Sequence, residues 1–150
     1  MPSPNFIYAF DPGVTTGYVK LSMKGEAEEI ANLNKSQAYK LLDSIRQYNE
    51  RPIFVVEDYR IFPGKQMVHT MTKLITAEMI GAIEYVAFIN SYRFIIQQPA
   101  DKLIGYKWMG ARQPSDHKNS HCYDAMAHGI YYLVKNNYIK PPVTEKLAKR

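Results

Sequence analysis

Cysteine is nearly absent from this 150-residue chain: Cys122 stands alone. One thiol builds neither a disulfide framework nor a cysteine-based zinc cluster, and the expected setting is reduced and intracellular. Long apolar runs are also missing. No uncharged stretch approaches the ~20 residues that span a bilayer, so a membrane partner is not expected. The opening MPSPNFIYAFDPG lacks a basic segment followed by an apolar core, so no secretory leader is expected. Repeats and low-complexity stretches are absent. With 46% hydrophobic and 22% charged residues, the composition excludes a disordered, collagen-like or coiled-coil chain. The length suits one domain, expected over 1–140, with a basic tail over 141–150.

Acidic charge is the scarcer sign. Fourteen Asp/Glu face nineteen Lys/Arg, for a net +5. Residues 1–75 hold nine basic and eight acidic groups, and residues 76–150 hold ten and six. A basic second half fits a polyanionic partner.

Apolar patterning yields the element order. Phe6 to Phe10 reads as a buried strand halted at Asp11-Pro12-Gly13, because proline cannot donate to a sheet ladder. Thr16 to Met23 and Glu28 to Leu33 read as two more strands, joined to the first by antiparallel steps. Ser36 is the expected cap of a helix to about Tyr48, with Ala38, Leu41, Leu42 and Ile45 inward. Ile53 to Val56 is a β-branched strand ending in Glu57. From His69 to Asn90, apolar residues at 71, 75, 79, 82, 86 and 89 predict a helix, one side core and the other free for a dimer contact. Arg93 to Ile96 is a strand. Pro99 opens a short helix over Asp101–Tyr106, residues 107–115 read as irregular, and Ser115 or Asp116 caps a last helix to Lys135. The order β-β-β-α-β-α-β-α-α predicts an α/β fold: a five-stranded mixed sheet, with an antiparallel β1-β2-β3 meander followed by β4 and β5, flanked by helices.

Three carboxylates occupy informative places. Asp11 ends the first strand and shares a face with Ile7 and Ala9; Glu57 ends the fourth and shares a face with Val55. Asp124 lies inside the apolar helical segment CYDAMAHGIYYLV, where it needs solvent or a compensating partner. If the first and fourth strands are neighbours, Asp11 and Glu57 emerge side by side, and the final helix can bring up Asp124. Clustered carboxylates repel unless a cation neutralises them, and oxygen ligands suit Mg²⁺ or Mn²⁺. Taken singly, each reads first as the plainer thing, a turn former, a strand-end charge and a helix-surface residue; it is their joint placement that points to a site. His117, His121, Asp124 and His128 follow one helical stripe. An imidazole there can ligate a metal or hold a water, or it can be an ordinary surface or core residue.

These segments carry a resemblance. FDPGVTTGYV, FVVEDYRIF and HKNSHCYDAMAHGI resemble, in order, the three active-site segments of RuvC-type Holliday junction resolvases, most closely the short bacteriophage forms. The likeness runs from about residue 6 to 134. It implies an RNase H-like fold and a homodimeric endodeoxyribonuclease of DNA recombination and repair. Such an enzyme resolves four-way junctions in the cytoplasm of a bacterium or a phage-infected host. It implies that Asp11, Glu57 and Asp124 bind metal, with His121 in the fourth position, where some members carry Asp. Two ions per site are expected, Mg²⁺ with Mn²⁺ able to substitute. The sequence departs from the bacterial pattern in a short stretch before the last helix, where Lys102 and Lys118 resemble its basic residues. It departs again after Glu57, where Tyr59 or Phe62 stands in place of a DNA-stacking Phe.

On this reading Arg60, Lys65 and Lys73 after Glu57, and Lys102, Lys107, Arg112 and Lys118 before the last helix, border the acids and contact phosphates. Each serves equally well as solubilising charge. Trp108 can stack on a base or pack in the core. Three competing readings remain. The first is an RNase H-like nuclease for other branched DNA or hybrids. The second is a nucleic-acid-binding scaffold that keeps the fold without catalysis. The third is an actin/Hsp70-like phosphate-binding domain, which DPGVTTG fits loosely but which needs two such domains and leaves Glu57, His121 and Asp124 unexplained.

Overall fold

The computed structural model describes residues 3–59 and 70–142, with the backbone alone at 70, 71, 73 and 117–119. Five strands form one sheet: β1 (Phe6–Asp11), β2 (Thr16–Ser22), β3 (Ala27–Leu33), β4 (Pro52–Glu57) and β5 (Arg93–Gln97). Four helices are interspersed: α1 (Lys35–Ile45), α2 (Thr70–Ile89), α3 (Asp101–Met109) and α4 (His117–Lys135). The strand order is β3-β2-β1-β4-β5. β1–β2 and β2–β3 are antiparallel, whereas β1–β4 and β4–β5 are parallel. This is the five-stranded mixed sheet, with its antiparallel β1-β2-β3 meander, expected from the sequence.

Strand alternation divides the core into two layers. Tyr8 and Phe10 of β1 and Phe54 and Val56 of β4 pack with Ala38, Leu42 and Ile45 of α1 and Met79, Ile83 and Ala87 of α2. Ile7, Ala9, Ile53 and Val55 face the other way, onto Ala125, Ile130 and Leu133 of α4. Each fully buried side chain of this size contributes about 1.5–3 kcal/mol relative to exposure. The same alternation puts Asp11 and Glu57, two residues beyond Ala9 and Val55, on the α4 face.

Several boundaries differ from expectation. The N-cap of α1 is Asn34, not Ser36: its Oδ1 accepts from the Gln37 N–H, and Gln37 Oε1 accepts from the Asn34 N–H, each at 2.9 Å. This capping box leaves Ser36 inside the first turn. α1 ends at Ile45, short of Tyr48. α3 continues through Lys107, Trp108 and Met109, read as irregular, until Gly110 closes it at φ 69°. In α2 the buried line is Thr76, Met79, Ile83 and Ala87, while Ile89, expected inward, is exposed. That helix is apolar nearly all round, so periodicity alone does not single out its inner face. No helix among the described residues is long and apolar enough to cross a membrane. The segment 143–150, most of the expected basic tail, lies outside the described residues.

Candidate active site

The parallel register of β1 and β4 pairs Phe10 with Val56, so the next residues, Asp11 and Glu57, leave the sheet side by side. On its other side Asp11 is opposite Gly17 of β2. A Cβ built on Gly17 would lie 1.9 Å from the His121 carbonyl oxygen. The missing side chain is therefore what lets the α4 backbone press onto β2 at this level. That approach carries His121 to Asp11 and turns Asp124 inward. Oxygens of Asp11, Glu57 and Asp124 all lie within 4.8 Å of one another. The three carboxylates singled out in the sequence thus meet at one point.

Each carboxylate has its own partners. His121 Nδ1 lies 2.9 Å from Asp11 Oδ2. Tyr106 of α3 donates its hydroxyl to Asp124 Oδ1 at 2.6 Å. His128 Nε2 lies 3.0 Å from Glu57 Oε2, and its Nδ1 lies 2.7 Å from Gln97 Oε1 at the end of β5. Lys102 Nζ bridges two of the acids, 3.2 Å from Glu57 Oε1 and 3.1 Å from Asp124 Oδ2. Gln113 Nε2 reaches Asp124 Oδ1 at 3.5 Å. α3 packs close enough for Lys102 and Tyr106, one turn apart, to reach these groups because a Cβ on Gly105 would lie 2.0 Å from the Ala127 carbonyl oxygen.

Burial and crowding set the protonation chemistry. Burial pushes the Asp11 carboxyl up to about 6; the His121 hydrogen bond opposes this, and the Glu57 and Asp124 charges reinforce it. His121 is raised, chiefly by its bond to Asp11. For Glu57, burial favours the proton, but the His128 hydrogen bond and the His128 and Lys102 charges outweigh it and leave the carboxyl below its ordinary value. Burial would strip Lys102 of its proton, but the Glu57 and Asp124 charges win and hold the ammonium.

The basic positions expected to contact DNA divide differently. Lys102 sits within the acid cluster. Lys107 and Arg112 are exposed, and Tyr59 is half-buried just beyond Glu57. Arg60, Phe62 and Lys65 lie outside the described residues, as do the side chains of Lys73, His117 and Lys118. Trp108 stacks on Tyr131, with ring centroids 5.7 Å apart and planes 13° off parallel, as part of the α3–α4 packing. Tyr106, Gln97 and Gln113 were not singled out by the sequence. His128 was, as part of the histidine stripe.

The donor set fits a hard divalent cation: three carboxylates, all oxygen, from three different elements. The Lys102 ammonium already places positive charge between two of the three acids. A compact, strongly hydrated charge on a flexible stem can yield that position to a metal ion.

Among known proteins, the likeness lies in solved structures. No protein-family model matches the chain, and no curated protein matches it. Among solved structures, Thermus thermophilus RuvC in complex with a Holliday junction substrate superposes with a TM-score of 0.64 at 13% identity, covering 89% of this chain and 96% of that one. A second T. thermophilus RuvC structure gives 0.61 at 12%, covering 88% and 96%. The yeast mitochondrial Holliday junction resolvase Ydc2 gives 0.56 at 12%, covering 99% and 85%. The chain shares its fold with these resolvases along nearly its whole length.

Proposed function

We propose that this protein is a structure-selective endodeoxyribonuclease that resolves four-way DNA junctions by metal-dependent phosphodiester hydrolysis. One observation carries the reading: in a fold shared with junction resolvases, carboxylates from β1, β4 and α4 converge within 4.8 Å. Asp11, Glu57 and Asp124 would hold the divalent cations, Mg²⁺ with Mn²⁺ as a substitute and two per site. When bound, these supply Lewis-acid charge to the scissile phosphate and activation of the attacking water. Tyr106 keeps Asp124 turned inward. His121 orients Asp11 and would ligate or position the second cation. Lys102 swings from the acids to the phosphate. Water displaces the 3′-oxygen in line, leaving 5′-phosphate and 3′-hydroxyl ends. Lys107 and Arg112 bind the DNA backbone by charge, with Arg60, Lys65, Lys73 and Lys118 as further contacts and Tyr59 or Phe62 as stacking residues.

Paired cuts need two sites, so the working unit is a homodimer. The outer face of α2 supports this. Leu74, Tyr85, Phe88 and Ile89 are 54%, 63%, 79% and 48% exposed. They fall within about 100° of arc, opposite the buried line. The catalytic unit would span 1–140, and the proposed setting is the cytoplasm of a bacterium or a phage-infected host.

The test is a nicking assay with Mg²⁺ or EDTA on a synthetic four-way junction, a Y-fork, a flap, linear duplex and an RNA·DNA hybrid. Symmetric, Mg²⁺-dependent nicking confined to the junction is expected. Cutting spread over all branched substrates would replace junction resolution with general branched-DNA cleavage. ATP hydrolysis without DNA cutting would overturn the nuclease reading.

A further inference from the structure

His128 is the one histidine among the described residues with no exposed surface, at 0%. It lies on α4 one turn beyond Asp124, where the neighbouring inward positions are Ala127, Ile130 and Leu133. A leucine or methionine would fill such a place without the cost of burying two ring nitrogens. Here both nitrogens are partnered: Nδ1 by Gln97, itself 5% exposed, and Nε2 by Glu57. An ionised carboxylate only accepts, so the proton between His128 and Glu57 belongs to Nε2 whichever way the Gln97 amide is turned.

Glu57 is therefore held from two sides by unlike groups. Lys102 lies nearest Oε1 at 3.2 Å, reaches Oε2 at 3.4 Å and is shared with Asp124, on a long flexible stem. His128, on Oε2, is locked between α4 and the end of β5. Its bond engages Oε2 and leaves Oε1 as the oxygen nearest Lys102, whose ammonium also bonds Asp124. Gln97 in turn fixes the imidazole plane, and the β4–β5 register that pairs Glu57 with Gln97 brings both onto the same level of the sheet.

We propose that Gln97 and His128 form a buried positioning device for Glu57, which presents one carboxylate oxygen to a divalent cation and spares the site reorganisation on binding. This rests on the reading of Glu57 as a metal ligand. Outer hydrogen bonds of this kind, one group removed from the metal, govern ligand orientation and affinity.

The experiment measures Mn²⁺ binding to the full-length protein by calorimetry and by the electron paramagnetic resonance of free Mn²⁺, alongside thermal unfolding without metal. His128→Leu keeps the volume and removes the donor; it is expected to weaken Mn²⁺ binding by about 10- to 100-fold. His128→Gln places an amide N–H at the reach of Nε2 and is expected to restore affinity to within about threefold of wild type, because the lost function is donation to Glu57. Should His128→Leu fail to fold, Gln97→Met, which leaves His128 in place but unsupported, is expected to weaken binding by about threefold or more. Wild-type affinity in His128→Leu, or in Gln97→Met, overturns the proposal, as does a His128→Gln protein no better than the leucine variant. A wild-type protein that binds no Mn²⁺ overturns the metal-site reading as well, so the two failures are told apart.

Discussion

Tyr106 and Asp124 meet across two helices, with the tyrosine hydroxyl donating to Oδ1 at 2.6 Å and both residues buried. Tyr106→Phe keeps the ring packing and deletes only the donor. Cleavage and Mn²⁺ affinity should fall by about 10- to 100-fold. Stability should fall by only about 1–2 kcal/mol, because Lys102 still partners the carboxylate. Single-turnover nicking with thermal unfolding checks both parts; a large loss of stability with normal metal affinity would contradict the assignment.

Asp11→Asn and Asp124→Asn remove one charge each from the cluster while preserving its shape. Nicking should drop by several orders of magnitude, whereas junction binding in a gel-shift assay should persist. Near-normal nicking by both variants would remove these acids from the reaction.

The pH dependence of the metal-free protein follows from the same crowding. Asp11 keeps its proton up to about 6, against an ordinary 3.8, so the folded chain binds that proton more tightly than the unfolded one. Stability then falls as pH rises between those values. The His121 contribution is complete below the ordinary 6.5 and is lost as pH climbs through its higher folded value. Glu57, lowered, acts at the other end: its contribution is present above 4.5 and is lost as pH falls through its folded value. In EDTA the protein should be most stable near about pH 4.5, where Glu57 is ionised and Asp11 still largely keeps its proton, and should lose stability steadily through about 6 and on toward alkaline pH. Saturating Mn²⁺ should reverse the order, because it binds the ionised acids. Asp11→Asn should flatten the decline in EDTA. Melting temperatures across this range, with and without metal, provide the check; stability in EDTA that rises toward alkaline pH would contradict it.

Two glycine substitutions should part company. Gly17→Ala drives a methyl group into the His121 backbone, which cannot move without shifting α4, and should cost about 3 kcal/mol or more and most of the activity. Gly81→Ala, in α2, meets nothing within 4 Å in its own chain and should stabilise the single chain by about 0.5–1 kcal/mol through helix propensity, its methyl lying on the α2 face proposed for the dimer contact. Denaturant unfolding of the pair measures both.

The acids were legible because alternation fixes a strand's faces. FIYAFD and PIFVVE each put their last residue on the face of the small aliphatic residues two before it. The inward turn of Asp124 was legible from its apolar surroundings. The supporting groups were not. Gln97 falls one residue past the predicted end of its strand, and no local spacing ties it to His128, 31 residues on. Tyr106 looked like the end of a short helix, because only Gly110 in the left-handed conformation reveals where α3 stops. Lys102 read as a phosphate contact because a sequence shows its charge but not the two carboxylates across from it. The α1 cap was misplaced because Asn34 and Ser36 are both good caps, and only the reciprocal bond from Gln37 decides between them.

A crystal soaked in Mn²⁺ and measured at the manganese absorption edge tests the shared metal site directly. An anomalous peak within coordination distance of Asp11, Glu57 and Asp124, with the Lys102 ammonium displaced from between Glu57 and Asp124, is the expected result. Manganese bound elsewhere, with Lys102 still bridging the two acids, would contradict it.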